Sequence, residues 1–338
     1  MTRIRIVAFA LAAMMATSVW ALDSQEQTLD KVNAIFNAKT AGNEAPEVCP
    51  REKGIINHYL WEAVKNGLVE RVKLLIRCGA DANTAYAHNG KDTVLTLAAR
   101  NGYVDIVSIL IANGADVNKV MEHAGGTSAL MSASSYGHTD TAELLLAKGA
   151  DVEAGDNDGH TALMYASAYG HTNTAKLLLA KGADMEARDN DGYTALMFGV
   201  HNGHTDTAEL LLAKGADVEA RNNNGDTALI VAATLYYNAN MIKLLIAKGA
   251  DVNAVNPKNG RTALLEVAGA TEGCSPVAKA LIDVGADVNA RDYLGRTALT
   301  IACQSKNLST AYLLLEAGAK HDRPKDCKPC CKKQCHKQ

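Results

Sequence analysis

The chain is predicted to be all-α: a solenoid of about eight helix–turn–helix units. Three observations carry this. The stretch 156–187, DNDGHTALMYASAYGHTNTAKLLLAKGADMEA, recurs almost letter for letter. Thr161-Ala162-Leu163 returns as Thr194-Ala195-Leu196 and Thr227-Ala228-Leu229, and Gly182-Ala183-Asp184 as Gly215-Ala216-Asp217 and Gly249-Ala250-Asp251. That is a period of about 33 residues, the mark of stacked supersecondary units. Finally, 48% of the 338 residues are hydrophobic, yet only three are Phe and two are Trp. Leu and Ala must then supply the core, which suits thin helix-on-helix layers.

Within one unit, the Thr161 hydroxyl is placed to N-cap a short helix. The pattern predicts that helix over Ala162 to Tyr169, stopped by Gly170 in a left-handed conformation. A second helix follows, with Ala175, Leu178 and Leu179 at helical spacing, and ends at Gly182. Asp189-Asn190-Asp191-Gly192 reads as a turn tip into the next unit.

G-x-T-A-L, an inter-helix glycine, L-L-L-x-x-G-A-D and the period occur together in this order many times. In this the chain resembles the ankyrin-repeat family, which implies a turn, two antiparallel helices and a loop per unit. One departure is visible. The family's usual Thr-Pro-Leu-His becomes Thr-Ala-Leu followed by Met, Ile, Leu or Thr. Alanine remains a good helix former at that place. The family's histidine hydrogen bond near the helix start is expected to be missing.

Taken in chain order, residues 1–21 read as a signal peptide. Arg3 and Arg5 precede an apolar run from Ile6 to Met15, and Val19-Trp20-Ala21 supplies a cleavage point. The alternative, a membrane anchor, needs a run of about 20 residues. The leader looks bacterial, so a periplasmic or secreted protein is expected, with no membrane span after signal removal. Residues 22–48 are predicted to hold a capping helix and linker. Ser24 and Gln27 have capping-box spacing, and Leu29, Val32, Ile35 and Phe36 share a face. The array is placed at 49–321, its units ending at Gly79, Gly114, Gly149, Gly182, Gly215, Gly249, Gly285 and Gly318. Extra residues near Tyr236 and Glu272 should bulge between paired helices. Residues 322–338 form a basic, Cys-rich tail outside the core.

No G-x-S-x-G, H-E-x-x-H, phosphate loop or dinucleotide fingerprint is present. The repeats use nearly all of the chain, so no enzyme, no catalytic residue and no cofactor is expected. His138, His171 and His204 recur just after the inter-helix glycine. Packed helices about 8–10 Å apart cannot share a metal held at about 2 Å. These histidines are therefore expected to start the second helices and face solvent. The tips Asp156 to Gly159, Asp189 to Gly192 and Asn222 to Gly225 read as Asx turns rather than calcium loops, which require a bidentate Glu at the end. No metal site is expected in the array.

Eight cysteines in an exported chain favour disulfides. Cys49 with Cys78, and Cys274 with Cys303, are the candidate pairs; Cys78 and Cys303 also fit as small buried residues. In the tail, Cys327, Cys330, Cys331, Cys335 and His336 suit either disulfides or a soft metal site.

The resemblance implies a protein-binding module whose concave surface is built from turn tips and first helices. It places Tyr136, Asn157, Asp158, His160, Tyr169, Asn190, Asp191, Tyr193, His201, Asn223, Asn224 and Asp226 on that surface. The tyrosines are the expected anchors, Tyr169 and Tyr193 lying outside the Leu and Ala core. The partner is expected to be a protein with a polar or basic patch, met by a monomer. The net charge of −3 gives no support for nucleic acid. Metal handling by the tail is the alternative function.

Overall fold

The computed structural model describes residues 53–85, 92–120, 125–234, 239–270 and 275–320. These contain eight successive helix pairs. They are α1 (Lys53–Lys65) with α2 (Val69–Arg77), α3 (Val94–Arg100) with α4 (Val104–Ala112), and α5 (Ala129–Ser135) with α6 (Thr139–Ala147). The central pairs are α7 (Ala162–Ala168) with α8 (Thr172–Ala180), and α9 (Ala195–His201) with α10 (Thr205–Ala213). Then come α11 (Ala228–Thr234) with α12 (Ala239–Ala247), α13 (Ala263–Gly269) with α14 (Ser275–Asp283), and α15 (Ala298–Gln304) with α16 (Leu308–Glu316). Among the described residues there is no strand, only the isolated bridges Ala85–Thr93, Arg221–Thr227 and Arg291–Thr297. The expected leader, capping helix, linker and tail lie outside the described residues. So do the extra residues near Tyr236 and Glu272, which fall between α11 and α12 and between α13 and α14.

First helices pack on first helices of adjacent repeats, and second helices on second helices, so the stack has two layers. A first helix is short and covered nearly all round. In α7, Ala162, Leu163, Met164, Ala166 and Ser167 are all buried. Thr161 has extended backbone and its hydroxyl accepts from the Met164 N–H at 3.4 Å, as an N-cap should. The helix ends at Ala168, one residue before the expected end, because Tyr169 has left helical geometry and stands as the C-cap.

No histidine stands at the helix start, and another side chain takes up a bond there. The Thr161 N–H donates to the Met164 sulfur at 3.4 Å, and the Ser128 N–H to the Met131 sulfur at 3.3 Å. In α3 a threonine takes the position, with Thr93 and Thr96 hydroxyls 2.9 Å apart. A soft sulfur or a hydroxyl thus stands where the family places an imidazole.

The second helices are amphipathic. In α8, Thr174, Ala175 and Leu178 are buried. The helix closes at Gly182, φ 95°, where the Ala183 N–H reaches back to the Leu178 carbonyl at 3.0 Å. That six-to-one bond is a Schellman ending.

The recurrent histidines do not face solvent, and they do not cap the second helices: His138, His171 and His204 make no side-chain cap bond. Each ring leans on the preceding repeat. The Nε2–H donates to the carbonyl of Arg100, Ser135 and Ala168, at 2.9, 3.0 and 3.0 Å respectively. These carbonyls lie at the C-terminal ends of the preceding first helices, which would otherwise lack partners. The ring also fills the space beside the preceding inter-helix glycine. A Cβ on Gly170 would meet His204 Nδ1 at 2.5 Å. Glycine is required there twice over, for positive φ and for contact.

A second ladder runs along the loops that follow the second helices. The backbone N–H of Asp151, Asp184 and Asp217 bonds the side-chain oxygen of Asn118, Glu153 and Glu186 in the repeat before, at 2.8–2.9 Å.

Gly170→Ala should cost more stability than Gly182→Ala in urea unfolding. Both lose about 1–2 kcal/mol to left-handed strain, but only Gly170 has a neighbour to displace. Equal losses would remove the histidine contact from the account. Leu178→Ala or Leu211→Ala should cost about 2–5 kcal/mol, since both side chains are fully buried.

Candidate functional site

The tips and first helices of the central repeats form one continuous face. Its organising group is Asp156. One carboxylate oxygen accepts from the N–H groups of Asp158 and His160, at 3.0 and 2.8 Å, which makes the expected Asx turn. The other accepts from the Tyr165 hydroxyl at 2.7 Å and lies 3.1 Å from His160 Nδ1. His160 Nε2 in turn lies 3.6 Å from Asp189 Oδ2. The imidazole therefore spans the carboxylates of two successive repeats. Asp189 repeats the turn, accepting from the N–H groups of Asp191 and Tyr193 at 3.0 and 2.6 Å.

Burial pushes the Asp156 carboxyl up, but the bonds from Tyr165 and from the His160 backbone and ring outweigh it and hold it below the usual range. Tyr165 moves the other way: burial, and donation to Asp156, push its hydroxyl well above the ordinary tyrosine value.

Beside this bridge lies an open cavity of about 260 Å³ between α7 and α9, lined by His160, Met164, Tyr165, Ala168, Tyr169, Phe198, His201 and Asn202. The His160 ring stands edge-on to Tyr165 and Phe198, with centroids 5.7 and 5.4 Å apart. Aromatic walls with few polar groups suit the seating of a side chain rather than bond-making chemistry.

The structure brings His160, Tyr169 and His201 together at this cavity. Tyr136 and Tyr169 are each 56% exposed. Their rings lie beside His138 and His171, at 6.4 and 6.5 Å. Tyr193 is different. It is half-buried, packs on the core, and its ring lies 5.7 Å from Phe198; placing it outside the Leu and Ala core was incorrect. Its own neighbour His201 is exposed, 6.5 Å away and edge-on.

The tip asparagines hold the tips to one another. The Asn190 amide donates to the Asn157 carbonyl at 3.0 Å and the Asn223 amide to the Asn190 carbonyl at 2.9 Å. The Asn256 amide reaches the Asn224 carbonyl at 3.0 Å and the Asp226 carboxylate at 2.6 Å. Asp158 and Asp191 are exposed and have no ion pair among the described residues. Ligand atoms of Asp156, Asp158 and His160 lie within 4.8 Å of one another, but Asp156 and His160 are committed to each other and to Tyr165.

Tyr165, Phe198 and Met164 were not singled out from the sequence. A signal existed: Thr-Ala-Leu-Met is followed by an aromatic residue in two successive units, Tyr165 and Phe198.

A family model described as ankyrin repeats (3 copies) matches residues 60–156, 150–222, 183–256 and 229–325. The chain belongs to the ankyrin-repeat family. It is thereby a protein–protein interaction module with protein partners. Among solved structures it is similar to the crystal structure of the human ASB11 ankyrin repeat domain, at 27% identity and TM-score 0.60. That likeness covers 68% of this chain and 98% of the other. No curated protein matches the chain. Among the described residues no helix is long and apolar enough to cross a membrane.

Asp156→Asn should destabilise the array at neutral pH and much less in acid. The native carboxyl sits below its unfolded value, so its stabilisation is present above about pH 4 and is lost as pH falls through the native value. Thermal melts of both proteins at pH 7 and pH 3 test this. A difference that stays constant or grows in acid would mean that the charge on Asp156 is not what holds the bridge.

Proposed function

We propose that the array captures a protein partner on the concave face made by its tips and first helices, with the cavity between Tyr165, Tyr169 and Phe198 at the centre. The observation that supports this is the open aromatic cavity flanked by exposed Tyr169 and His201. Interface hot spots are aromatic and central. Tyr136 and the tip residues Asn157, Asp158, Asn190, Asp191, Asn223, Asn224 and Asp226 form the surround. The protein acts as an exported monomer, periplasmic or secreted after cleavage at Ala21. Disulfides Cys49–Cys78 and Cys274–Cys303 staple the two ends. In support, Cys78 and Cys303 stand in the first and eighth repeats, at the two ends of the array; Cys49 and Cys274 lie outside the described residues. Metal handling by the tail has no support from the described residues, since the tail lies outside them.

A photo-crosslinker placed at Tyr169 should join the native partner, whereas one placed at Lys181, past the end of α8, should not. Tyr169→Ala with His201→Ala should weaken capture by about 2 kcal/mol or more with little change in melting temperature, both side chains being exposed. Equal loss from Lys181→Ala would move the site off this face.

A further inference from the structure

We infer that the central cavity receives an arginine side chain from the partner protein. This rests on the reading of the concave face as the binding surface and names what that surface recognises.

Charge is the first argument. Residues 156–169, 189–202 and 222–234 make up the tips and first helices of three central repeats. They contain Asp156, Asp158, Asp189, Asp191 and Asp226 and no Lys or Arg. The lysines of this region, Lys148, Lys176, Lys181 and Lys214, belong to the second helices or their ends. Arg188, Arg221 and Lys258 flank the tips but are turned to backbone carbonyls: Arg188 to that of Arg221 at 2.5 Å, Arg221 to those of Gly225 and Val255 at 2.8 and 3.0 Å, and Lys258 to that of Asn223 at 2.5 Å. An aromatic cavity beside the exposed carboxylates of Asp158 and Asp191, neither of them ion-paired among the described residues, favours a cation on an alkyl stem. The rings attract the head while Met164 and Ala168 line the same space for the stem.

Position is the second. Asp156 and Asp189 are occupied by His160, Tyr165 and backbone N–H groups. Asp158 is exposed, and its carboxylate lies within 4.8 Å of a His160 ring nitrogen at the cavity wall. Asp191 occupies the same position in the next tip.

The chain itself supplies the third. Toward both ends of the array this face carries its own arginines, each on a carboxylate of the same face. Arg100 bonds Asp92 at 2.5 Å, Arg261 bonds Glu266 at 2.9 Å, and Arg296 bonds Asp292 through Nε at 2.8 Å and Nη2 at 2.7 Å. By repeat position, Arg296 corresponds to His160 and Tyr193, and Arg100 to Ala168. Of these carboxylates the central repeats keep that of Asp292, as Asp156 and Asp189, with a ring in place of Arg296, whereas Asp92 and Glu266 correspond to His160 and Tyr165. Guanidinium–carboxylate pairs are thus seated on this face elsewhere in the chain. The guanidinium's planar fork suits both a carboxylate and an aromatic face, which an ammonium matches less well.

The test uses the full chain and capped Gly-Ser peptides bearing one Arg, citrulline, norleucine or Glu, followed by NMR at low salt. The Arg peptide should give saturable shifts at the Met164 methyl and the His160 ring. Citrulline, norleucine and Glu peptides should bind about tenfold more weakly or not at all, the scale of one lost charge-assisted contact. Asp158→Asn with Asp191→Asn should weaken the Arg peptide by a similar factor while leaving the melting temperature unchanged, since both residues are exposed. Equal binding of citrulline or norleucine would overturn the cation and leave the binding face standing. No shift at Met164 with any peptide would overturn the cavity as a side-chain pocket. The crosslink from position 169 decides the face independently of either result.

Discussion

Everything in this protein depends on repeats lying against each other at close range. Apart from α1, a first helix has seven residues, well short of the dozen or so at which an isolated helix becomes even marginal in water. It persists because both neighbours and its own second helix cover it. Ala and Gly let backbones approach, and the inter-helix glycine sets the spacing. Its missing side chain is the seat of the next repeat's histidine, whose N–H also satisfies a helix-end carbonyl that has no partner of its own. One contact thus fixes spacing, caps a helix in trans and passes registry onward. Tyr103, which packs against the hydrogens of Gly67 at the first junction, shows that the volume matters as well as the imidazole's donor.

The period, the helix pairs and their caps were legible because their causes are local. Thr161 caps a residue three positions on, and Gly182 ends the helix that precedes it. The roles of His138, His171 and His204 were not legible, because their partners lie one repeat away. A histidine at a helix start looks like a cap or a solvated side chain until the neighbouring glycine is placed. Met164 hid its role for another reason: methionine in a helix reads as core, and it is core, while its sulfur also takes the bond usually given to histidine.

The proposed binding face was half legible. Tyr169 and His201 followed from repeat position and do reach the cavity. Tyr193 has nearly the same appearance in the sequence, directly after a tip glycine, yet it folds onto Phe198 and becomes part of the packing. Tyr165 and Phe198 sit in the first helix, where a reader assigns large residues to the interior. They are interior along one edge only. The other edge stays open because Ala168 is small enough to leave the cavity beside it.

The asparagines and aspartates of the tips divide the work between structure and recognition. An amide carries donor and acceptor at once, so Asn190 and Asn223 can link each tip to the one before. A carboxylate only accepts. Once the turn N–H groups are served by Asp156 and Asp189, the carboxylates of Asp158 and Asp191 are surplus to the fold. Toward the ends of the array other acids of this face, Asp92, Glu266 and Asp292, are met by arginines of the same chain. Among the described residues, the exposed carboxylates of Asp158 and Asp191 lie on the same central face as the aromatic cavity. The coincidence of the two is the argument for proposing the centre, and not the whole length of the stack, as the place for a partner.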